Sequence, residues 1–336
     1  MDETRAEPNV LRASSLSVAP MMDWTDRHCR YFHRQFSRRT LLYTEMVTAP
    51  ALVRGGARHL LAFDPEEHPV ACQLGGSDPA ELAEAAAIVA EAGYQEVNLN
   101  VGCPSDRVQS GAFGAVLMER PEIVAALVQA MSAAQSLPVT VKCRIGVDDQ
   151  DPRDVLPDFI QRIADAGVTR VAIHARKAWL KGLSPKENRD IPPLDYPLVL
   201  EMKERFPDLH VSVNGGIASL DEAQGFLDQG LDGVMVGRAA YHDPAALLGP
   251  ADQRIFGATT AQKSRLEIVD AMRPYIAQHL EGGGRLHAVT RHMLSLFSGQ
   301  PGARAWRRIL SEEGGRPGAG LDCLDRALET MHVRAA

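Results

Sequence analysis

Long hydrophobic runs are missing from this sequence: none of its 336 residues falls in an apolar stretch of about 18 or more, the length a membrane-spanning helix needs. The opening MDETRAEPNVLRASS holds no apolar block of the secretory kind, so the chain reads as soluble and cytoplasmic, with no membrane partner. Cysteine is sparse. Cys29, Cys72, Cys103, Cys143 and Cys323 are an odd number, widely scattered and without a C-x-x-C pair, which argues against a disulfide framework and a zinc site. Low-complexity tracts are absent too. With 45% hydrophobic residues, the chain suffices for one large domain, or for one of roughly 250 residues plus a smaller one.

Positive charge is in deficit. Lys and Arg number 36 against 43 Asp and Glu, a net charge of −7, which disfavours indiscriminate binding to DNA or RNA. The deficit is uneven: from residue 258 onward eleven Lys/Arg face eight Asp/Glu, a local +3 that leaves −10 for residues 1–257. An acidic body with a mildly basic C-terminal region suits selective recognition.

Short apolar runs recur over the first 240 residues: SLSVAP, LLYTEM, PVACQL, EVNLNV, PVTVKC, RVAIHA, HVSVNG and DGVMVG. Helical patterns separate them, such as GSDPAELAEAAAIVAEAG with Ser77 or Asp78 as N-cap and Gly93 as terminator, and RDVLPDFIQRIADAG ending at Gly167. Eight β-then-α units in a row predict an α/β fold, a (β/α)8 TIM barrel rather than an open doubly wound sheet. Strand alternation then sorts the side chains. Gln73, Asn98, Asn100, Lys142, Arg144, His174, Arg176 and Asn214 fall on the barrel-facing side, gathered at the C-terminal strand ends where such barrels keep their active sites. Lys142 on an inward face needs a partner, either Glu45 from the second strand or a bound anion.

After the seventh and eighth runs come VNGGIAS and VMVGRAAY. Glycines there let backbone N–H groups approach a phosphate, and Arg238 adds a full charge; the ligand is a phosphorylated substrate or a phosphate-bearing cofactor. Cys103 lies in a loop, NLNVGCPSDRVQSGAFGA, while Cys72 and Cys143 fall on aliphatic faces and read as packing. A nucleophilic role for Cys103 needs an adjacent base; Arg107, four residues on, is the local cation, and no histidine neighbours it.

The stretches APMMDWTDRHCRYF, HPVACQLGGSDP, GYQEVNLNVGCPSDRVQSGAFGA, VTVKCRIGVDD, IHARKAWLKGLSPKENRDIPPLDY, VNGGI and GQPGARAWRR closely resemble the tRNA-dihydrouridine synthases, subfamily A among them. The resemblance implies an FMN-binding catalytic TIM barrel over 16–250, preceded by a flexible N-terminus over 1–15 and followed by a helical tRNA-binding domain over 258–336. It implies NADPH as co-substrate, the tRNA D-loop as partner with uridines 20 and 20a as targets, no DNA partner, and a monomer. By the same resemblance Pro20, Met21, Met22, Gln73, Lys142 and His174 contact the flavin, and Asn214, Gly215, Gly216, Gly237 and Arg238 its phosphate. Asn100, Lys186, Arg189, Arg304 and Arg307 contact tRNA. Reducing uracil takes a hydride at C6 and a proton at C5. A thiol of reference pKa ~8.5 still carries its proton at pH 7 and a carboxyl of ~3.9 does not, so Cys103 reads as the proton donor.

The loop RKAWLKGLSPKENR offers Arg176, Lys177, Lys181, Lys186, Arg189 and Trp179 to phosphates and an unstacked base. The last eighty residues read as about four helices, with Arg285, His287, Arg291, His292, Arg304, Arg307 and Arg308 on a basic face and Pro301–Gly302 turning into the arginine helix. Two other readings compete. A small-pyrimidine FMN reductase of the dihydroorotate type leaves the basic tail unexplained, and a non-catalytic tRNA binder leaves Cys103 unexplained.

Overall fold

In the computed structural model, residues 10–105 and 113–332 are described. Eight parallel strands close into a barrel in sequence order: β1 (Leu16–Val18), β2 (Leu41–Thr48), β3 (Val70–Gly75), β4 (Glu96–Val101), β5 (Val139–Arg144), β6 (Arg170–His174), β7 (His210–Asn214) and β8 (Gly233–Val236). Closure is made by β1 against β8, with Leu16 opposite Val234 and Val18 opposite Val236. Each expected strand run is present. Fully buried β3, β4 and β8 explain why these segments read as near-continuous hydrophobic runs: both faces of a parallel barrel are covered.

The intervening helices begin and end where local chemistry dictates. Asp78 caps the Pro79–Glu91 helix by accepting from the Glu81 N–H at 2.9 Å, deciding between the two N-cap candidates, and Asp151 caps Pro152–Asp165. Their apolar faces pack on the outward side chains of the strands, among them Cys72 and Cys143 in the core. Inside the barrel a second, small cluster of Leu41, Tyr43, Ala71, Ala172 and Met235 leaves room for polar groups. There Tyr43 and Thr140 donate to Glu96 at 2.8 and 2.6 Å, and Arg170 pairs with the same carboxylate, so a buried charge is fully partnered.

Residues 10–15, assigned to a flexible N-terminus, include a helical turn at Val10–Ala13, and Ser14 is buried and donates to the Leu11 carbonyl at 2.7 Å. The second tail helix is short, Leu286–Thr290, and gives way to turns up to residue 302. The other tail helices are Arg265–Glu281, Ala303–Glu312 and Leu321–His332. Gly302 enters the arginine helix at φ +91°, and a Cβ there would lie 2.5 Å from the Thr330 carbonyl oxygen, so this turn demands glycine.

The tail unit packs on the barrel rather than standing apart. Asp26, N-cap of the Arg27–Phe36 helix, accepts from Arg291 at 2.5 Å and pairs with His292 at 3.0 Å. Arg291 and His292, expected on an open basic face, are therefore spent on this junction, His292 being buried. Among the described residues no helix is long and apolar enough to cross a membrane.

Candidate active site

The C-terminal strand ends open into a cavity of about 750 Å³, within the usual range for a ligand site. A larger one, about 1090 Å³, opens at the opposite end around Lys203 and His210, where barrels keep their stabilising rather than their catalytic residues. The floor of the C-terminal cavity is a relay of amides. Gln73 donates to Asn98 at 2.8 Å and accepts from Asn100 at 2.7 Å, while Asn98 donates to Thr140 at 2.8 Å. A bulge between Tyr43 and Met46 shifts β2 so that Met46 sits beside Gln73 at the rim.

Asn100 also shapes the loop above it. Its Oδ1 accepts from the N–H groups of Gly102 and Cys103 at 3.1 and 3.0 Å, so the residue expected to touch RNA is buried beneath the cysteine loop and holds it. Cys103 is half-buried on the cavity wall, its Sγ 3.5 Å from Ser105 Oγ. Lys142, Arg144 and Arg189 border the same cavity. Arg107 lies outside the described residues.

Lys142 has no hydrogen-bond or ion-pair partner among the described residues, and burial, with the neighbouring Arg144, pushes its ammonium down to about 8. Glu45 does not reach it; that carboxylate accepts from the Asp23 N–H at 2.5 Å and is pushed up by burial. His174 is buried with Nδ1 unpartnered, and burial beside Arg144 and Lys142 holds it well below the usual histidine range, hence neutral. Asn214 donates to the Met235 carbonyl at 2.7 Å. Gly215 and Gly216 follow at φ +107° and +75°, and a Cβ on Gly216 would meet Leu194 at 2.6 Å. Gly237 and Arg238 complete this edge, with Arg238 held 2.8 Å from Asp190.

Pro20, Met21 and Met22 line the wall beside Gly237, fixed where the Met21 carbonyl accepts from Thr25 N–H at 2.9 Å. All the expected cofactor residues, together with Asn100, Cys103 and Arg189, thus border one cavity. An unpartnered ammonium, an orphaned neutral imidazole and the Gly215–Gly216 turn, which excludes side chains, fit an anionic, heteroaromatic, phosphate-bearing group such as a flavin nucleotide.

Lys186, Arg304 and Arg307 lie outside the cavity and are exposed. Arg304, Arg307 and Arg308 share the outer side of the Ala303–Glu312 helix with no ion-pair partner among the described residues, while Trp306 between them is buried. The strand-six loop is less free than its composition implies. Arg176 donates to the Pro192 carbonyl, and Lys177 donates to the Gln150 carbonyl at 2.8 Å and lies over the Trp179 ring. Among the described residues Lys181, Lys186 and Arg189 form no side-chain hydrogen bond or ion pair. Sequence reasoning missed Asn188, Trp24 and the task of Arg144. Asn188 is fully buried and pins the loop through both Trp179 backbone groups at 2.7 and 2.8 Å; Trp24 stacks on Tyr241 with centroids 4.5 Å apart, and Tyr241 in turn meets His292 of the tail unit edge-on at 5.7 Å. Nothing in local spacing reveals such long-range partners.

The closed barrel and this mouth define a flavin-dependent oxidoreductase of the TIM-barrel class. The family model described as dihydrouridine synthase (Dus) matches residues 17–331, and the chain belongs to that family. Among similar proteins, the tRNA-dihydrouridine(20/20a) synthase of Vibrio cholerae is 57% identical over 314 residues, covering 93% of this chain and 95% of its own. The protein of the same name from Escherichia coli K12 is 55% identical over 335 residues, covering 98% and 96%. An old yellow enzyme homologue from Zymomonas mobilis shares the fold at a TM-score of 0.51 and 13% identity, over 76% of this chain and 91% of that one.

Proposed function

We propose that this protein reduces the C5–C6 bond of uridines 20 and 20a in the tRNA D-loop to 5,6-dihydrouridine, with bound FMN and with NADPH as co-substrate, as a cytoplasmic monomer. The relatives' name and their identity over nearly the whole chain support the substrate. The observation that carries the chemistry is a half-buried thiol facing the same cavity as the unpartnered Lys142 and His174.

When bound, reduced FMN supplies the hydride that C6 takes up, and NADPH restores it. Lys142 holds the cofactor's anionic edge, His174 offers Nδ1, and Gln73 turns its remaining amide valence upward. Asn214, Gly215, Gly216, Gly237 and Arg238 would hold the phosphate, and Pro20, Met21 and Met22 would pack against the cofactor beside them. Cys103 gives the S–H proton to C5, so the C5–H bond forms as S–H breaks, and the thiolate takes its proton back from solvent. Lys186, Arg189, Arg304 and Arg307 meet tRNA phosphates. The target base leaves its stack to enter a cavity of this depth.

The test uses the purified holoprotein. NADPH oxidation stimulated by unmodified tRNA, with dihydrouridine mapped to positions 20 and 20a, is the expected result. Stimulation by orotate or free uracil instead would replace this reading with a small-pyrimidine reductase.

A further inference from the structure

Arg144 ends β5 and is nearly fully buried, yet forms no ion pair among the described residues. Two of its three guanidinium nitrogens donate to three backbone carbonyls from two loops, and the residue also borders the cavity. Nε donates to Gly102 at 2.9 Å, and Nη1 donates to Lys177 at 3.0 Å and Asn188 at 2.9 Å. Gly102 belongs to the cysteine loop, whose next N–H groups are already taken by Asn100. Lys177 and Asn188 bracket the loop that presents Lys181 and Lys186, and Asn188 closes that loop onto Trp179. One planar fork therefore ties together the segment bearing the thiol and the segment bearing the exposed lysines. A lysine would keep the charge but could not span the same three acceptors.

We propose that Arg144 is a positioning residue that locks the Cys103 loop to the loop after β6, so that the proton donor is aligned through the same contact that orders the RNA-facing loop. The inference rests on Cys103 being the proton donor of the proposed reaction. It assigns Arg144 to the proton-delivery step and not to holding the cofactor.

The test compares wild type with Arg144→Lys as holoenzymes on unmodified tRNA transcript, rates taken per bound flavin. NADPH-driven flavin reduction should stay within about twofold, while the single-turnover rate of uridine reduction falls roughly 10- to 100-fold, the scale of a displacement near 1 Å at a reacting group. The solvent deuterium isotope effect on that turnover should rise, and in a Cys103→Ala background the same substitution should cost less than about threefold. An equal loss in both backgrounds, or an unchanged rate, overturns the proposal. Should Arg144→Lys not retain flavin, hydrogen exchange of the wild-type holoenzyme decides: segments 98–105 and 177–191 are expected to open together, and independent opening overturns it. Failure of wild type to reduce tRNA would strike the functional reading instead, and the exchange experiment would still judge the lock.

Discussion

In the proposed reaction Cys103 and Lys142 have separable signatures. Cys103→Ala is expected to retain flavin and tRNA affinity while losing about 10²- to 10⁴-fold in uridine reduction, read by single-turnover assay; full activity would remove the thiol from the mechanism. Lys142 predicts a pH dependence. Its ammonium is held at about 8 without ligand, so affinity for the reduced, anionic flavin should fall by up to about tenfold per pH unit above 8. Titrating deflavinated protein across pH 7 to 10 measures this, and Lys142→Met should flatten the profile. Alternation in VTVKCRI already puts Lys142 and Arg144 on one face, which makes the first legible and leaves the second ambiguous. Only the meeting of Gly102, Lys177 and Asn188 gives Arg144 its task.

At the scale of elements, the Ala303–Glu312 helix is divided by its own periodicity. Trp306 and Leu310 are buried, while Arg304, Arg307 and Arg308 are exposed and unpaired among the described residues. Replacing Arg304 and Arg307 by Ala should weaken tRNA binding at low salt and reduce the slope of log K against log[salt] by about 0.7 to 0.9 per lost contact, with flavin reduction by NADPH unchanged. Filter binding over a salt series checks it, and an unaltered slope would exclude these arginines from the interface. Strands were readable because a parallel barrel buries both faces, so each announces itself as an apolar run. The strand-six loop was not. Its five cations look alike in sequence, yet Arg176 and Lys177 are drawn inward by the Pro192 and Gln150 carbonyls.

Taken whole, the molecule joins a catalytic barrel to a helical unit through Asp26, which Arg291, His292 and its own helix N-terminus hold well below the usual carboxylate range despite burial. Buried histidines set the response to acid. Burial pushes His28 down to about 4 and His33 to about 3, so the unfolded chain binds protons that the native state refuses. Stability is therefore complete above about pH 6.5 and is lost as pH falls from there toward 4, at about 1.4 kcal/mol per pH unit for each such group at most. Melting temperatures from pH 7 to 4 should show this decline, and a flat profile would contradict it. Asp26→Asn should lower the melting temperature at pH 7, because Arg291 loses its carboxylate partner.

The sequence by itself determined the barrel, the order of its strands, the inward polar set and the thiol at the fourth strand end, because periodicity and turn chemistry act locally and are written in consecutive residues. Tertiary structure alone decided which cations remain free, that Asn100 holds the cysteine loop from beneath, that Arg291 and His292 serve the junction, and that Arg144 bridges two loops. Those outcomes depend on carbonyls and carboxylates brought together from distant parts of the chain, and hydrogen-bond partners of that kind leave no period in the sequence to read.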